Sequence, residues 1–501
     1  MSQQNSIIAA IDIGTTKIVT IAGQMVNNKI EIVGMSKTPS KGVKRGVVMN
    51  IEDAISAIQY TVEEVQRQIG FRIREAYIGI AGQHIYSVQN RGYVLRDSFE
   101  EEITKADTDK LLAEMYKTSL QPGEEIIHVI PQSYVVDNET GVRNPVGMFG
   151  KRLEGNYHIV IGQTTSARTI ARCVNRVGIN VKQMILEPLA SSAAVLTEEE
   201  IEAGVALVDI GGGTTDIAVF CDEIIKHTAV IPFGGNVITK DIMEGCSILN
   251  RHAEQLKIQY GSSMGDLAEE GKVVAVPGIS GREPKEVSVK SLAYIIQSRM
   301  EEIVNAIVYQ LERSDSMDKL KAGIVLTGGG AQLRHLPQYV KYLTGLDVRV
   351  GMPNLQSGSN HYKEVNQPMF STSVGLLYKG FEDKSSEPIA ASEDKKPEPA
   401  VAGNGQRNTD HNNFSKQGNA SPVTGRDNNF SNSKSNNEEV HAEGSTVILM
   451  DTREDKDENK TTSNNTINRF WKKIKEQLEN ALNDDPDRNE LKQESDVNQK
   501  P

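Results

Sequence analysis

Cysteine is nearly absent: the chain of 501 residues has three, Cys173, Cys221 and Cys246, with no CxxC spacing. That excludes a disulfide framework, makes a cysteine zinc site improbable and fits a reducing compartment, with inert buried thiols as the plain reading. Tryptophan occurs once, as Trp471. No apolar run approaches the roughly 20 residues needed to cross a bilayer, so any membrane contact is expected to be peripheral. No basic segment followed by a long apolar core precedes the strand-like stretch Ile7 to Ile11, and no secretory signal is expected. Positive charge is also in deficit. A net charge of −12 argues against nucleic acid as a partner. Neither a GxxxxGK[ST] loop nor a GxGxxG turn follows any strand, which disfavours the two commonest nucleotide folds.

What is present changes character near residue 380. From Ile7 to about Lys379, short apolar runs alternate with helical patterns such as Ile51 to Ile69 and Ala167 to Val177, the signature of an α/β protein. Beyond Gly380 the chain becomes rich in Asn, Ser, Glu and Lys, with 17 basic against 24 acidic residues, and reads as a disordered linker. A chain of this length exceeds a single core, so several packed units are expected.

A repeat organises the folded part. Ile7 to Val19 contains Asp12-Ile13-Gly14-Thr15-Thr16-Lys17, and Val205 to Ala218 contains Asp209-Ile210-Gly211-Gly212-Gly213-Thr214-Thr215. Each is a strand, an aspartate, a glycine turn, paired threonines and a second strand. One repeat at such a separation suggests two similar halves with a cleft between them, not a solenoid. Polyphosphate binding needs closely approaching backbone N–H groups, which glycine permits, and neighbouring hydroxyls; both turns supply them. Asp12 and Asp209 at the strand ends are placed to hold a hydrated Mg²⁺, and Lys17 adds positive charge. A single such turn is equally an ordinary hairpin. The second copy, and a third glycine cluster after a strand at Thr327-Gly328-Gly329-Gly330-Ala331, favour a nucleotide.

In this order the three motifs resemble the phosphate-one, phosphate-two and adenosine motifs of the actin, sugar-kinase and heat-shock chaperone superfamily. The resemblance implies an actin-like, ribonuclease H-like duplicated fold with ATP and Mg²⁺ as cofactors. Leu186-Glu187-Pro188 is similar to the superfamily segment whose glutamate lies near the hydrolytic water, although Glu187 before a proline is as readily a helix cap. Ala253-Glu254-Gln255-Leu256-Lys257 is similar to the helix that contacts ribose and adenine, or is an exposed i,i+3 ion pair. Gly234, Gly235 and Asn236 form another glycine approach to phosphate, or a plain loop. Between the two copies, His128 to Asp137 and Asn144-Pro145-Val146-Gly147-Met148-Phe149-Gly150-Lys151-Arg152-Leu153-Glu154 resemble the characteristic inserted subdomain of the FtsA family of bacterial cell-division proteins. His128 itself lacks a metal-ligand neighbour and reads as a structural strand residue.

The expected organisation is therefore a first half at 1–83 and 163–203, an inserted small α+β subdomain at 84–162, and a second half beginning at 204–230. A small subdomain at 231–298, completion and return at 299–380, a linker at 381–466, an amphipathic helix at 467–482 and a polar tail at 483–501 follow. By resemblance, the small subdomain would receive the C-terminal peptide of FtsZ, and the head would self-associate into a filament and engage other membrane proteins of the divisome at the septum. Hydrolysis of ATP is expected to be slow at most.

Ile467, Phe470, Trp471, Ile474, Leu478 and Leu482 share one helical face, with Lys472 and Lys473 among the basic residues beside it. This reads as an in-plane anchor for the anionic cytoplasmic face of the membrane, held on a spacer with an r.m.s. reach of about 50 Å. The alternative is docking on a protein. The island Val447 to Met450 reads as a hydrophobic accident. Two rival functions stand beside the adaptor: a small-molecule kinase using Asp209 or Glu187 as general base, and a pilus-type ATP-binding adaptor.

Overall fold

The computed structural model describes residues 7–27, 29–97, 100–278, 282–355 and 360–386. Two five-stranded sheets carry the same topology. In the first, Lys29–Pro39, Lys17–Val26 and Ile8–Ile13 form an antiparallel meander, continued by the parallel strands Glu75–Ile80 and Asn180–Leu186. In the second, Ile224–Ile231, Thr215–Cys221 and Val205–Ile210 are followed by parallel Ile324–Thr327 and Val348–Val350. The central strands Ile8–Ile13 and Val205–Ile210 are buried along their whole length, as continuous apolar runs covered on both faces require. The duplicated α/β fold expected from the repeat is thus present.

Two helices lie between the sheets, and each is exchanged. Glu187–Val195 leaves the last strand of the first sheet and packs on Val205–Ile210 and Thr215–Cys221 of the second. Ser371–Ser386 comes after the last strand of the second sheet and packs on Ile8–Ile13 and Lys17–Val26 of the first. They cross backbone to backbone: a β-carbon at Gly375 would overlap the carbonyl of Ala190, so only glycine fits there. Ala190, Ala194, Val374 and Leu377 join Ile8, Ala10, Leu207 and Ala218 in one core that spans both sheets.

The insert is an antiparallel sheet in the order Tyr86–Leu95, Arg152–Gln163, Glu124–Val136 and Glu139–Val142, covered by the helix Lys105–Met115. Leu111, Met115, Leu153, Tyr157 and Ile159 form its own core. Two of the expected boundaries fall inside helices. The helix Val289–Arg313 runs through 298/299, because Leu292, Ile296, Ile303 and Ile307 are one apolar stripe in the core shared by the small subdomain and the second sheet. The last helix continues past 380 to Ser386, with Phe381 buried against the core between the sheets. All three cysteines are free and buried, and burial raises their thiols above the ordinary value. The island 447–450, the amphipathic stretch 467–482 and the tail lie outside the described residues.

Candidate functional site

The two glycine turns meet at the mouth of the cleft between the sheets. Both are four-residue hairpin loops closed by the same bond: the Gly14 N–H donates to the Lys17 carbonyl at 3.1 Å, and the Gly211 N–H to the Thr214 carbonyl at 2.9 Å. The hairpin registers, Ile13 opposite Ile18 and Ile210 opposite Thr215, fix which residues correspond. Gly14-Thr15-Thr16-Lys17 matches Gly211-Gly212-Gly213-Thr214, so the threonine pairs that look equivalent in sequence are not equivalent in space. A β-carbon at Gly212 would overlap Thr16 Oγ1, and one at Gly213 would crowd Thr15. The second turn is all glycine at these places because the side chains of the first turn occupy its room.

Thr215 consequently starts the return strand, where it is fully buried and donates to the Phe233 carbonyl at 2.8 Å. It does not line the cleft. Nor do Gly234, which packs against the carbonyls of Gly211 and Gly212, or Ala331, which is buried in the core of the second half. Every other head residue expected at the site lines one cleft of about 400 Å³: Asp12, Gly14, Thr15, Thr16, Lys17, Glu187, Asp209, Gly211, Gly212, Gly213, Thr214, Gly235, Asn236, Glu254, Lys257, Gly328, Gly329 and Gly330.

The aspartates sit at the ends of the two central strands. Asp12 Oδ2 accepts from Ser373 Oγ at 2.8 Å and lies 3.8 Å from Lys17 Nζ. Asp209 Oδ2 accepts from Ser191 Oγ at 2.7 Å and from Thr372 Oγ1 at 3.3 Å. A third carboxylate of the cleft, Glu187, has its carboxyl raised well above the usual range by burial and then by Asp12, Asp216 and Asp209, with Lys17 opposing. Asp209 is raised by burial. Asp216 is an acid that the sequence motifs do not mark: burial, then Asp209, push it up to about 8 against the hydrogen bond from Thr214, and its Oδ1 has no partner.

The third glycine cluster closes the floor. Gly328 has φ +82, and a β-carbon there would overlap Asp209 Oδ1; one at Gly330 would overlap Ile210. Gly329 differs, because a β-carbon there would meet no protein atom within 4 Å. Lys257 commits its ammonium to the Gly235 carbonyl at 2.9 Å, Thr239 Oγ1 at 2.8 Å and Glu254 Oε2 at 2.7 Å. Three donors meet three acceptors, so the i,i+3 pair and the cleft wall are the same feature. Ile238, Ile258, Met300 and Leu333 give this end an apolar lining that no sequence motif marked. His128 acts as a structural residue: its Nε2 accepts the Leu186 N–H at 3.0 Å, and burial holds it neutral with a pKa of about 4.

The cleft fits a polyphosphate with a cation. Asp12 and Asp209 line the end at the two turns with Lys17, and Glu187 and Asp216 beside them are raised towards their neutral forms, so a polyphosphate there would be accompanied by a counter-ion. Among the described residues no three His, Cys, Asp or Glu side chains are grouped to hold a metal by themselves, so an ion here would complete its shell with water and phosphate oxygens.

Sequence comparisons identify relatives, and a structural comparison adds a likeness of fold. The profile described as "Cell division protein FtsA" matches residues 206–375, and that of the "SHS2 domain inserted in FTSA" matches residues 82–161. The protein described as "Cell division protein FtsA" of Pseudomonas aeruginosa is 40% identical over 385 residues, 76% of this chain and 91% of that one. Its counterpart in Escherichia coli (strain K12) is 34% identical over 384 residues, 75% of this chain and 90% of that one. A solved structure of the "PilM-PilN type IV pilus biogenesis complex" superposes with a TM-score of 0.51 at 14% identity, covering 74% of this chain and 98% of that one, a likeness of fold alone.

Proposed function

The chain belongs to the FtsA family of cell-division proteins, and from that premise we propose that it is an ATP-binding, filament-forming actin homologue that anchors the FtsZ ring to the cytoplasmic face of the membrane at the septum. The observation that carries the nucleotide part is the pair of hairpin turns in contact across a cleft whose open floor lies at Gly329. Bound ATP would have its phosphates between Gly14–Lys17 and Gly211–Thr214, with Lys17 as the positive charge; Mg²⁺ would sit near Asp12 and Asp209 through water. Mg²⁺ supplies charge neutralisation to the phosphates when bound. Glu187, beside Asp12 and Asp209, would orient a water, with hydrolysis slow at most. ATP then acts chiefly by holding the two halves together in a conformation that assembles.

The partner assignments follow from family membership and sequence. The helices Gly235–Cys246 and Asn250–Tyr260 and the strands after them would offer the surface for the FtsZ C-terminal peptide, and the insert would meet other divisome proteins. Attachment is assigned to Ile467–Leu482 on the apolar face of its sequence pattern; no helix among the described residues is long and apolar enough to cross a membrane. One such helix binds reversibly; a filament of heads makes the attachment avid without a new type of contact. The pilus-type adaptor and the small-molecule kinase share the fold class, but 14% identity against 40% leaves the adaptor no independent support, and no feature of the cleft favours an alcohol substrate.

Titration with Mg-ATP tests the cleft: Asp12→Ala and Asp209→Ala should each abolish measurable affinity, and wild-type binding by both would refute it. Sedimentation with anionic liposomes tests the anchor, since deleting residues 467–482 should leave the protein in the supernatant.

A further inference from the structure

The exchanged helices do more than cross. The helix Glu187–Val195 follows the last strand of the first half, yet its Ser191 Oγ donates to Asp209 of the second half at 2.7 Å. The helix Ser371–Ser386 follows the second half, yet its Ser373 Oγ donates to Asp12 of the first half at 2.8 Å. Adjacent to it, Thr372 Oγ1 reaches Asp209 Oδ2 at 3.3 Å and Ser191 Oγ at 3.0 Å. All three hydroxyls are buried, so none of these bonds is exchanged for bulk water without cost.

Proton counting makes the arrangement definite. Ser191 and Thr372 own one hydroxyl proton each for three close contacts. With Ser191 donating to Asp209, the Thr372 proton is shared between Ser191 Oγ and Asp209 Oδ2, and Asp209 is held from two helices at one oxygen. Asp12 is held at its Oδ2 as well. At both aspartates, therefore, the helix hydroxyls engage Oδ2 and leave Oδ1 as the oxygen they do not touch. Thr372 and Ser373 are consecutive residues, so a single helical turn grips one aspartate from each half.

We propose that Ser191, Thr372 and Ser373 are positioning residues of the cation site: they orient the two aspartates so that one oxygen from each half is offered to a hydrated divalent cation, and they register its presence at the crossing of the two helices. The inference rests on the nucleotide reading of the cleft given above. A rotation of one half against the other changes the geometry of the Thr372–Asp209 bond while the Ser373–Asp12 bond rides with its own sheet. The cation and the helix crossing thus act on the same carboxylates, and the last helix, which leads towards the C-terminal segment, starts at that point.

The test is ATP titration of the full-length protein with excess Mg²⁺ and, separately, with EDTA, for the wild type and for Ser191→Ala, Ser373→Ala, Thr372→Val and Thr372→Ser. The readout is the ratio of the two affinities, alongside a melting curve of the ligand-free protein. Ser373→Ala and Thr372→Val should each lower the Mg²⁺-dependent gain about tenfold, and Thr372→Ser should restore it. Equal losses with and without Mg²⁺ would mean that the hydroxyls serve packing, and an unaltered ratio would mean that they do not orient the carboxylates; either overturns the proposal. A wild-type protein that binds ATP under neither condition sinks the nucleotide reading itself, an outcome distinct from both. Should Thr372→Val melt early, the ratio for Ser373→Ala decides alone.

Discussion

The two turns at the mouth of the cleft are one hairpin built twice, and they differ where they touch. The first fills its loop with Thr15, Thr16 and Lys17; the second has Gly212, Gly213 and Thr214 at the matching places. A duplicated clamp cannot be symmetric at its own contact, because two sets of β-carbons do not fit in one gap. The difference continues along the return strands. Val19, opposite Asp12, is an apolar core residue, whereas Asp216, opposite Asp209, is a buried acid. One hairpin thus carries Lys17 in its turn, and the other carries on its return strand an extra carboxyl that burial keeps largely protonated.

The strongest way to break this comparison is to give the second turn a side chain. Gly212→Val places its branches where Thr16 Oγ1 lies, and the overlap forces the turns apart. Affinity for Mg-ATP should fall at least 100-fold, about 3 kcal/mol. Thr16→Gly in the same chain should return at least tenfold of it by vacating the space. Unchanged binding by Gly212→Val would show that the two turns are not in contact when the nucleotide is held.

A second comparison concerns how the insert holds each half. His128 accepts from Leu186 in the first half; His158 Nε2 pairs with Thr228 Oγ1 on the edge strand of the second at 2.9 Å. Burial lowers both imidazoles to about 4 from an ordinary 6.5. An unfolded chain binds these protons below pH 6.5 and the folded chain does not, so stability falls as pH drops from about 6.5 towards about 4. At pH 5 each histidine should cost about 2 kcal/mol relative to pH 7.5. Urea midpoints at the two pH values check this: His158→Gln should flatten the difference by about half, and an equal difference in mutant and wild type would place the His158 ring in water.

Much of the head could be read from residue order. The Asp-Gly repeat announces two halves, and the Asn144–Glu154 string marks the insert, because strand–turn chemistry and a dense local motif survive in one dimension. The threonine correspondence does not, since matching identities slides the second turn by two residues against its hairpin register. Ser191, Thr372 and Ser373 also escape a reading of the sequence. For the last two the signal is a Ser-Thr-Ser run following Pro368, and for Ser191 a Ser-Ser pair following Pro188, each indistinguishable from an ordinary helix start until the strand ends beside it are known. The apolar wall at Ile238, Ile258 and Met300 comes from three separate helices, and only tertiary contact gathers it.

Asp216 gives the finest test of the asymmetry. Its carboxyl is pushed up to about 8 from an ordinary 3.8. Between those values the unfolded chain has released a proton that the folded chain retains, so stability declines as pH rises from about 4 to about 8. An asparagine side chain does not titrate, so Asp216→Asn should match the wild type near pH 4 and exceed it increasingly above. Relaxation around a group lining a cleft leaves roughly 1 kcal/mol of this at pH 8, a few degrees in Tm of the ligand-free protein. A variant less stable than wild type at every pH would mean that Asp216 is ionised and balanced in the fold. The two hairpins would then carry opposite charges, Lys17 against Asp216, and the cleft would need one more positive charge from its ligand than a neutral Asp216 requires.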